Sequence, residues 1–396
     1  MNKHEPRPEA LEIAQHESQG TLHWFDLDRR GFLRALGAGI LVGLSAKELL
    51  AQESGRARGG HELPQDIASW LHIAEDGRIT VFTGKVEMGQ NIRTSLAQQV
   101  AEELHAAVDS IAMVMGDTDL TPWDMGTFGS RTTPTMGPQL RAMAAAAREM
   151  LLEMAAERWQ ADPLNLWVAN GKVTNVKTNQ ALTFGDLTKG QKLARVITAV
   201  PNLTPAEKWA VAGTSVPKVD GRNFVTGAHQ YPSDIDRPGM LHGKVLRRAG
   251  FQAKLVSLDT AAADKIPGVT VVRDGEFTGV VAADAWVAEQ GVAALRAQWS
   301  VPPQPSNQDL FDYLKKNVDA GERGFEHVTG SMEQGLASAD VKLAESYTVQ
   351  YIAHAPLEPR AAVAEWSGDK LTVWTGGQRP FAVKDELVAA FRLSPE

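Results

Sequence analysis

The segment Arg78-Ile-Thr-Val-Phe-Thr-Gly-Lys-Val-Glu-Met-Gly-Gln90 determines the fold of the first domain. Its first half alternates side chains between the two faces of a strand, and Gly84 ends that strand. A short polar loop follows, and a helix is expected to begin at Thr94 or Ser95, because either hydroxyl can cap it. This order favours a polar ligand, since a helix N-terminus attracts anions and glycine permits close backbone approach. An ordinary αβ unit with a glycine turn remains the alternative.

Two further segments extend this pattern towards a specific family. Gly116-Asp-Thr118 follows a strand predicted over residues 111–115, and Phe128-Gly-Ser-Arg-Thr-Thr-Pro-Thr-Met-Gly137 precedes a long helix, predicted to begin at Pro138. With the Glu-Met-Gly-Gln loop before them, these segments resemble the molybdopterin-binding subunit of the xanthine dehydrogenase and aldehyde oxidase family. The most similar subgroup is the large subunit of isoquinoline 1-oxidoreductase. The resemblance extends from about Leu71 to the end of the chain.

Composition limits the chemistry of the chain. A length of 396 residues suits two or three domains, and a hydrophobic content of 43% is ample for globular cores. The net charge of −8 without a basic stripe argues against a nucleic-acid partner. Because cysteine is absent, the chain cannot form disulfides, use a thiol nucleophile or hold an iron–sulfur cluster through its own thiolates.

The N-terminal region carries the pattern of an export signal. Residues 28–34 read Asp-Arg-Arg-Gly-Phe-Leu-Arg, and a weakly apolar run follows over residues 35–44. Paired arginines before such a run are typical of twin-arginine signals, whereas a basic start to an ordinary helix is the alternative. We therefore expect residues 1–51 to be a signal region and the protein to be periplasmic. Cleavage near Ala51 and retention as a membrane anchor both stay open.

The remaining chain is predicted to have an α+β fold. The resemblance implies a molybdopterin-binding αβ domain, the family's α/β hammerhead domain and the start of a second molybdopterin-binding domain. His229 and His242 of the hammerhead domain are isolated, so each is predicted to be a surface or packed residue. The expected segments are a linker (52–69), the first αβ block (70–192), a linker (193–220), the hammerhead block (221–300), a spacer (301–337) and the last block (338–396).

The last block repeats the segment that opens the first. Ile79-Thr-Val-Phe-Thr-Gly84 and Leu371-Thr-Val-Trp-Thr-Gly376 share the same strand pattern, each followed by a polar loop with a glutamine and then a helix. The second copy is expected to lack the next strand, which would leave an open sheet edge and an uncovered apolar face. We therefore expect the N-terminal half of a larger subunit, whether from a split gene, a truncated product or a subunit completed by another chain.

The resemblance also implies which residues bind the cofactor. It assigns three residues of the first loop to the pterin and its phosphate, and three residues of a later loop to a second wall. Backbone N–H groups and hydroxyls suit this task because they bind phosphate and pterin edges while staying neutral. Helix capping is the alternative for the two hydroxyl residues of the second wall. The residues concerned are Met88, Gly89 and Gln90 in the first loop, and Gly129, Ser130 and Thr132 in the second.

Gln378 is the candidate nearest to the chemistry. The resemblance implies that its neutral amide hydrogen-bonds a ligand of molybdenum, which is itself held by the pterin's dithiolene and not by protein side chains. A polar turn residue is the alternative. Glu87, Asp117 and Glu358 are assigned no role as general base, because the family's catalytic glutamate falls in the C-terminal part of the subunit. Asp117 is instead expected to cap a turn.

The resemblance implies a molybdenum hydroxylase subunit for water-dependent oxidation of aldehydes or N-heteroaromatic compounds. The implied cofactor is molybdopterin in its cytosine dinucleotide form. The implied partners are a small [2Fe–2S] subunit that accepts electrons, the C-terminal half of the large subunit and a cytochrome c acceptor. Two other hypotheses stay open: an inactive split or truncated fragment, and an exported non-enzymatic binding protein that reuses the fold.

Overall fold

The computed structural model describes residues 38–45, 67–197, 201–318 and 329–395. The paired arginines of the predicted export signal lie outside these ranges, as does the expected cleavage position at Ala51. Helices and strands occur throughout the described ranges, which confirms the predicted α+β class.

The chain divides into two compact units. Unit 1 comprises Met1–Ile235 together with Glu358–Glu396, and unit 2 comprises Asp236–Leu357. Gly221, where the second block was expected to begin, lies inside unit 1. The first predicted block (70–192) and residues 358–396 of the last one therefore share unit 1, whereas residues 338–357 of the last block lie in unit 2.

Unit 1 is built on a five-stranded sheet with the strand order β4-β3-β2-β1-β8. The β3–β4 and β1–β8 pairs are parallel, while β1–β2 and β2–β3 are antiparallel. A separate three-stranded sheet has the order β5-β6-β7. The strands are β1 (Gly39–Ser45), β2 (Ile67–Ala74), β3 (Ile79–Thr83), β4 (Ile111–Met115), β5 (Leu166–Ala169), β6 (Lys172–Asn175), β7 (Ala181–Thr183) and β8 (Lys192–Ile197).

Two long helices pack on this sheet and form the main core with it. The core contains fully buried residues from both layers, among them Leu71, Leu96 and Leu140. The second helix begins at Thr132, six residues before the predicted start, and accommodates Pro138 inside its length at the cost of one backbone hydrogen bond. The helices of this part are α1 (Ile92–Leu104), α2 (Thr132–Trp159), α3 (Phe184–Thr188) and α4 (Gly221–Thr226).

β1 is the main departure from the sequence prediction. Residues 35–44 were expected to be the apolar part of a signal region. Instead, Gly39–Ser45 form a strand that pairs with β2 on one side and β8 on the other. Ile40 and Val42 are fully buried in the main core. A strand inside a sheet and the apolar part of a signal are both short hydrophobic runs, so composition cannot separate them.

Two neighbouring glutamates of α1 bind the segment predicted as a linker (residues 193–220) within unit 1. Glu103 is fully buried and accepts hydrogen bonds from Arg141 Nη2 at 2.6 Å and from Thr204 N at 3.0 Å. Glu102 accepts hydrogen bonds from the backbone N–H groups of residues 210–212. Because a buried carboxylate is costly without partners, these bonds hold the segment in place.

Unit 2 contains a three-stranded sheet of order β11-β12-β9 and a two-stranded sheet of β10 and β13. A helix predicted over residues 286–299 ends at Ala294, and the next residues form β13, which pairs with β10. Residues 260–265, predicted as a short helix, form turns. The elements are β9 (His242–Val245), β10 (Lys254–Asp259), β11 (Thr270–Asp274), β12 (Phe277–Ala282), α5 (Ala285–Ala294), β13 (Arg296–Ser300), α6 (Leu310–Lys316) and α7 (Met332–Ser338).

The predicted repeat of the opening segment is confirmed. β14 (Ala362–Ser367) and β15 (Lys370–Thr375) form an antiparallel hairpin, and α8 (Pro380–Phe391) follows it. The first copy has the same order, because β2 and β3 form an antiparallel hairpin before α1. Within the described ranges, the β14–β15 hairpin pairs with no further strand, and Val373 and Trp374 are half-buried.

Candidate cofactor site

Three loops of unit 1 meet near the ends of three strands. Loop A (residues 84–91) joins β3 to α1, loop B (116–131) joins β4 to α2, and loop C (376–379) joins β15 to α8. Because β3 and β4 are parallel neighbours, loops A and B leave the sheet at the same edge. Loop C joins them through Thr127, whose N–H donates to the carbonyl oxygen of Gln378 at 2.8 Å. The structure therefore brings the three predicted site segments together.

A buried ion pair connects loops A and B. Lys85 Nζ lies 2.9 Å from Asp124 Oδ1, and the two side chains are only 8% and 9% exposed. The same ammonium donates to the carbonyl oxygen of Gly126 at 2.7 Å. Val86 N donates to the Thr127 hydroxyl at 2.9 Å. A buried charge is stable only with such partners, so this contact fixes the register of the two loops.

The three loops approach one another most closely at two glycines. A Cβ atom on Gly84 would lie 2.5 Å from Asp124 Cβ and 2.9 Å from Phe381 Cε2. Gly126 has φ of +130°, and a Cβ there would lie 3.0 Å from the carbonyl oxygen of Gln378. A side chain at either position would push the loops apart.

Glu87 organises loop A from within. Its carboxylate accepts hydrogen bonds from Gly89 N at 2.7 Å, Asn91 N at 3.0 Å and Arg93 N at 2.9 Å. The helix begins at Ile92, before the predicted Thr94 or Ser95, and Asn91 stands at its cap with φ of 66°. The carboxylate thus occupies N–H groups that we expected a ligand anion to bind. This end of α1 is capped by the protein itself.

The loop A residues that were predicted to bind the cofactor differ in which of their groups remain free to contact a ligand. Gln90 Nε2 donates to Val86 O at 3.0 Å, and its Oε1 accepts from Met88 N at 2.6 Å. Both ends of this amide are therefore used to hold the loop. The side chain of Met88 is 42% exposed, and Gly89 has no neighbour within 4 Å of a would-be Cβ. Loop A thus presents an open, exposed turn at Met88 and Gly89.

Loop B presents the uncapped N-terminus of a 28-residue helix. Gly129 and Ser130 both adopt positive φ angles, of 65° and 54°, immediately before it. Arg131 stands at the cap position and its side chain makes no capping hydrogen bond. Neither Ser130 nor Thr132 therefore acts as the cap residue, which was the alternative to ligand binding. The dipole and first-turn N–H groups of α2 favour an anion at this position.

Gln378 lies in loop C, where its backbone is fixed by Thr127. In the described part of the chain, its side-chain amide forms no hydrogen bond, so the amide is available to a ligand. A Cβ on the neighbouring Gly376 would lie 3.5 Å from Glu358 Oε1, which places that carboxylate beside loop C. Glu358 was not predicted to contribute to the site, and its position follows from the fold of the chain before β14.

Two other expectations concern residues near these loops. Asp117 Oδ1 accepts from Asp119 N at 2.9 Å, which confirms Asp117 as a turn residue. The ring of His229 stacks on Phe224 at 4.2 Å and meets Tyr231 edge-on at 4.6 Å. Burial, and then the nearby Arg93 guanidinium, lower the pKa of His229. His229 is therefore a packed aromatic residue, as the sequence predicted.

The donors on these loops suit a phosphate-bearing pterin. They are the first-turn backbone N–H groups of α2 and the neutral side-chain amide of Gln378, because the N–H groups of Met88, Gly89 and Asn91 are already bound within loop A. The charged Lys85 and Asp124 pair with each other. Within the described ranges, no cluster of three acidic, histidine or cysteine side chains could hold a metal ion. No helix in those ranges is long and apolar enough to cross a bilayer.

Two protein-family profiles match the segments of the chain that contain this site. A profile described as a molybdopterin cofactor-binding domain matches residues 29–237, and another of the same description matches residues 314–396. The first match contains loops A and B, and the second contains loop C. The two matches together therefore cover all three loops.

Curated relatives share most of this chain. A nicotinate dehydrogenase subunit of Pseudomonas putida is 32% identical, over 82% of this chain and 28% of its own length. The beta subunit of isoquinoline 1-oxidoreductase from Brevundimonas diminuta is 26% identical, over 93% and 54%. Membrane-bound aldehyde dehydrogenase (pyrroloquinoline-quinone) of Gluconacetobacter polyoxogenes is 27% identical, over 85% and 46%. The chain thus spans about half, or less, of the length of these relatives.

Proposed function

Because this chain belongs to the molybdopterin-binding subunits of the xanthine dehydrogenase and aldehyde oxidase family, we propose that it binds its cofactor across loops A, B and C. The observation that carries the proposal is the meeting of these loops in unit 1, fixed by Lys85, Thr127 and the backbone of Gln378. The chain is a subunit of a molybdenum oxidoreductase.

Each loop contacts a different part of the cofactor in this proposal. The exposed turn at Met88 and Gly89 contacts the pterin, although the N–H groups of both residues are already bound within loop A. The backbone of Gly129 and Ser130 and the first turn of α2 at Thr132 bind the phosphate and pterin edges. Gln90 acts from inside loop A, since its amide is already bound to Val86 and Met88. Gln378 directs its free amide towards the metal centre, where a neutral group orients a ligand without changing the charge. The bound cofactor supplies the two-electron oxidation of the substrate.

The finer identity of the cofactor and partners is part of the same proposal. The cofactor is the cytosine dinucleotide form, and electrons leave to a small [2Fe–2S] subunit and then to a cytochrome c. The absence of cysteine supports a separate cluster-bearing subunit, because this chain has no thiolates to hold one. The substrates are aldehydes or N-heteroaromatic compounds, which the names of the relatives support.

A C-terminal part of the large subunit completes the site in this proposal. The greater length of the relatives supports it, as does the β14–β15 hairpin, which pairs with no further strand in the described ranges. Five apolar or aromatic side chains at odd-numbered positions between residues 341 and 351 are also exposed. This spacing is typical of one face of a strand, and such a face can be covered by another chain segment. They are Val341, Leu343, Tyr347, Val349 and Tyr351. The catalytic base comes from that added part.

Cofactor content tests the proposal directly. The chain is co-expressed with the C-terminal part of its subunit and the [2Fe–2S] subunit, and molybdenum and pterin are measured per mole of purified protein. The double variant Gln90→Ala/Ser130→Ala should lower both contents several-fold. The matched control is Gln290→Ala/Ser215→Ala, which changes two exposed residues outside the loops. Equal cofactor content in all three proteins would contradict the proposal.

A further inference from the structure

β1 is built into the interior of the unit 1 sheet. From Gly39 to Leu44 it pairs with β2 on one side and with β8 on the other. Gly39 N also donates to Gln191 O at 2.7 Å, just before β8 begins. Without β1, the inner edges of β2 and β8 would carry unpaired N–H and C=O groups. The sheet therefore depends on these residues for its continuity.

The side chains of β1 are equally integrated. Ile40 and Val42 are fully buried in the core that α1 and α2 form with the sheet. Gly39 lies so close to β2 that a Cβ atom there would lie 2.8 Å from His72 Nε2 and would overlap the carbonyl oxygen of Ile73. His72 is itself buried, and burial lowers its pKa to about 4. β1 thus closes a dry part of the core.

The same residues form the apolar part of the export-signal pattern. That run follows Arg29 and Arg30, and the small-residue position expected for cleavage, Ala51, lies after β1 in sequence. Cleavage at Ala51 would detach β1 from the domain. A β1 that stays in the sheet also cannot lie in a membrane as an anchor, since its backbone and side chains are already engaged. The two outcomes left open by the sequence, cleavage near Ala51 and retention as a membrane anchor, therefore both conflict with the pairing and burial of β1.

We propose that residues 39–45 are a permanent strand of the mature domain, and that any removal of the leader takes place before Gly39. The twin-arginine segment then precedes this strand in sequence, and residues 39–45 of the apolar run after it belong to the sheet. This inference rests on the proposed export only where it concerns maturation. Its structural part stands on the pairing and burial of β1.

Two substitutions in the full chain test the structural part. Val42→Ala shortens a fully buried side chain and should lower the thermal midpoint of unit 1 by about 5 °C. Val225→Ala, at a side chain of unit 1 that is 85% exposed, is the matched control and should leave that midpoint unchanged. Hydrogen exchange adds a measurement that does not depend on a variant: peptides covering residues 39–45 should be protected as strongly as those of β3. Rapid exchange there, with an unchanged midpoint for Val42→Ala, would overturn the proposal.

Maturation is tested on protein recovered from the periplasm. Its intact mass should include residues 39–45, with or without residues before them. A folded, cofactor-loaded protein that begins at Gln52 would overturn the proposal. If the protein stays in the cytoplasm, the export proposal fails, and the exchange and Val42→Ala experiments still decide whether β1 is part of the fold.

Discussion

The backbone N–H of Thr127 donates a hydrogen bond to the carbonyl oxygen of Gln378 across 2.8 Å. This bond joins loop B to loop C of the second copy, and the Lys85–Asp124 pair joins loop B to loop A of the first copy. Both copies therefore contribute to one candidate site. Arg379 Nε supports it by donating to Met125 O at 3.3 Å, and Lys370 Nζ pairs with Asp119 at 2.8 Å nearby. The positions of the two loops are therefore coupled, and a change in one is expected to affect cofactor binding by the other.

The buried ion pair between loops A and B should be essential for stability. Lys85→Met leaves Asp124 buried without its countercharge and should destabilise unit 1 by about 3–5 kcal/mol. Lys85→Met/Asp124→Leu removes both charges and should recover most of that loss. Arg248→Met, in an exposed pair with Glu276, is the control and should cost about 1 kcal/mol or less. Chemical denaturation measures each free energy of unfolding. A Lys85→Met variant as stable as the wild type would contradict the assignment.

Glu87 should position loop A. Glu87→Ala removes the acceptor of three backbone N–H groups and should cost about 0.5–2 kcal/mol, as for loss of a helix cap. Amide exchange at Gly89, Asn91 and Arg93 should accelerate, and cofactor content should fall. Glu157→Ala, at an exposed site of α2, is the control. A rise in cofactor content would show instead that a ligand phosphate competes with this carboxylate for the end of α1.

The local elements of this site could be predicted from sequence. The strand over residues 111–115 was predicted with the observed bounds, because a short continuous apolar run followed by a glycine turn is typical of a buried strand. The repeat of β3 in β15 was also visible. Glu87 stands four residues before the cap residue Asn91, where no capping pattern predicts it, so its role had no signal in the sequence.

The long-range contacts had no such signal. The pairing of Lys85 with Asp124 depends on the parallel arrangement of β3 and β4, which places loops A and B together. The hydrogen bond from Thr127 to Gln378 joins two residues that are separated along the chain by the whole of unit 2. β1 was not predicted as a strand, because its composition suits both a buried strand and a signal segment, and only its partners distinguish them.

His72 should make the stability of unit 1 depend on pH. Burial lowers its pKa from 6.5 to about 4, with a smaller opposing effect of Asp76. Since the folded-state pKa is depressed, stability is complete above about pH 6.5 and falls as the pH decreases towards 4, by about 3 kcal/mol. Denaturation of wild type and His72→Gln between pH 7 and 4 should show a flatter dependence for the variant. Identical slopes in the two proteins would contradict the prediction.

The paired arginines should direct export. Arg29→Lys/Arg30→Lys keeps the charge but removes the pattern that the twin-arginine pathway reads, so the protein should accumulate in the cytoplasm. Cell fractionation and immunoblotting measure its distribution. Arg56→Lys/Arg58→Lys, in the linker, provides a control with the same change of residue type. Unchanged periplasmic delivery of the first variant would exclude twin-arginine export.

Residues 38–396 alone should not turn over substrate. The chain has no cysteine to hold an electron-accepting cluster, and its second hairpin pairs with no further strand in the described ranges. In the proposed function the C-terminal part of the subunit helps to exclude water from the site, and its absence would weaken the preorganised electrostatics that catalysis requires. Dye-linked oxidation of aldehydes and N-heterocycles, assayed with added molybdenum cofactor, should stay at background. Co-expression with the C-terminal part and the [2Fe–2S] subunit is the positive control and should give activity. Substantial turnover by a monodisperse monomer of this chain would show that its three loops form a complete catalytic site.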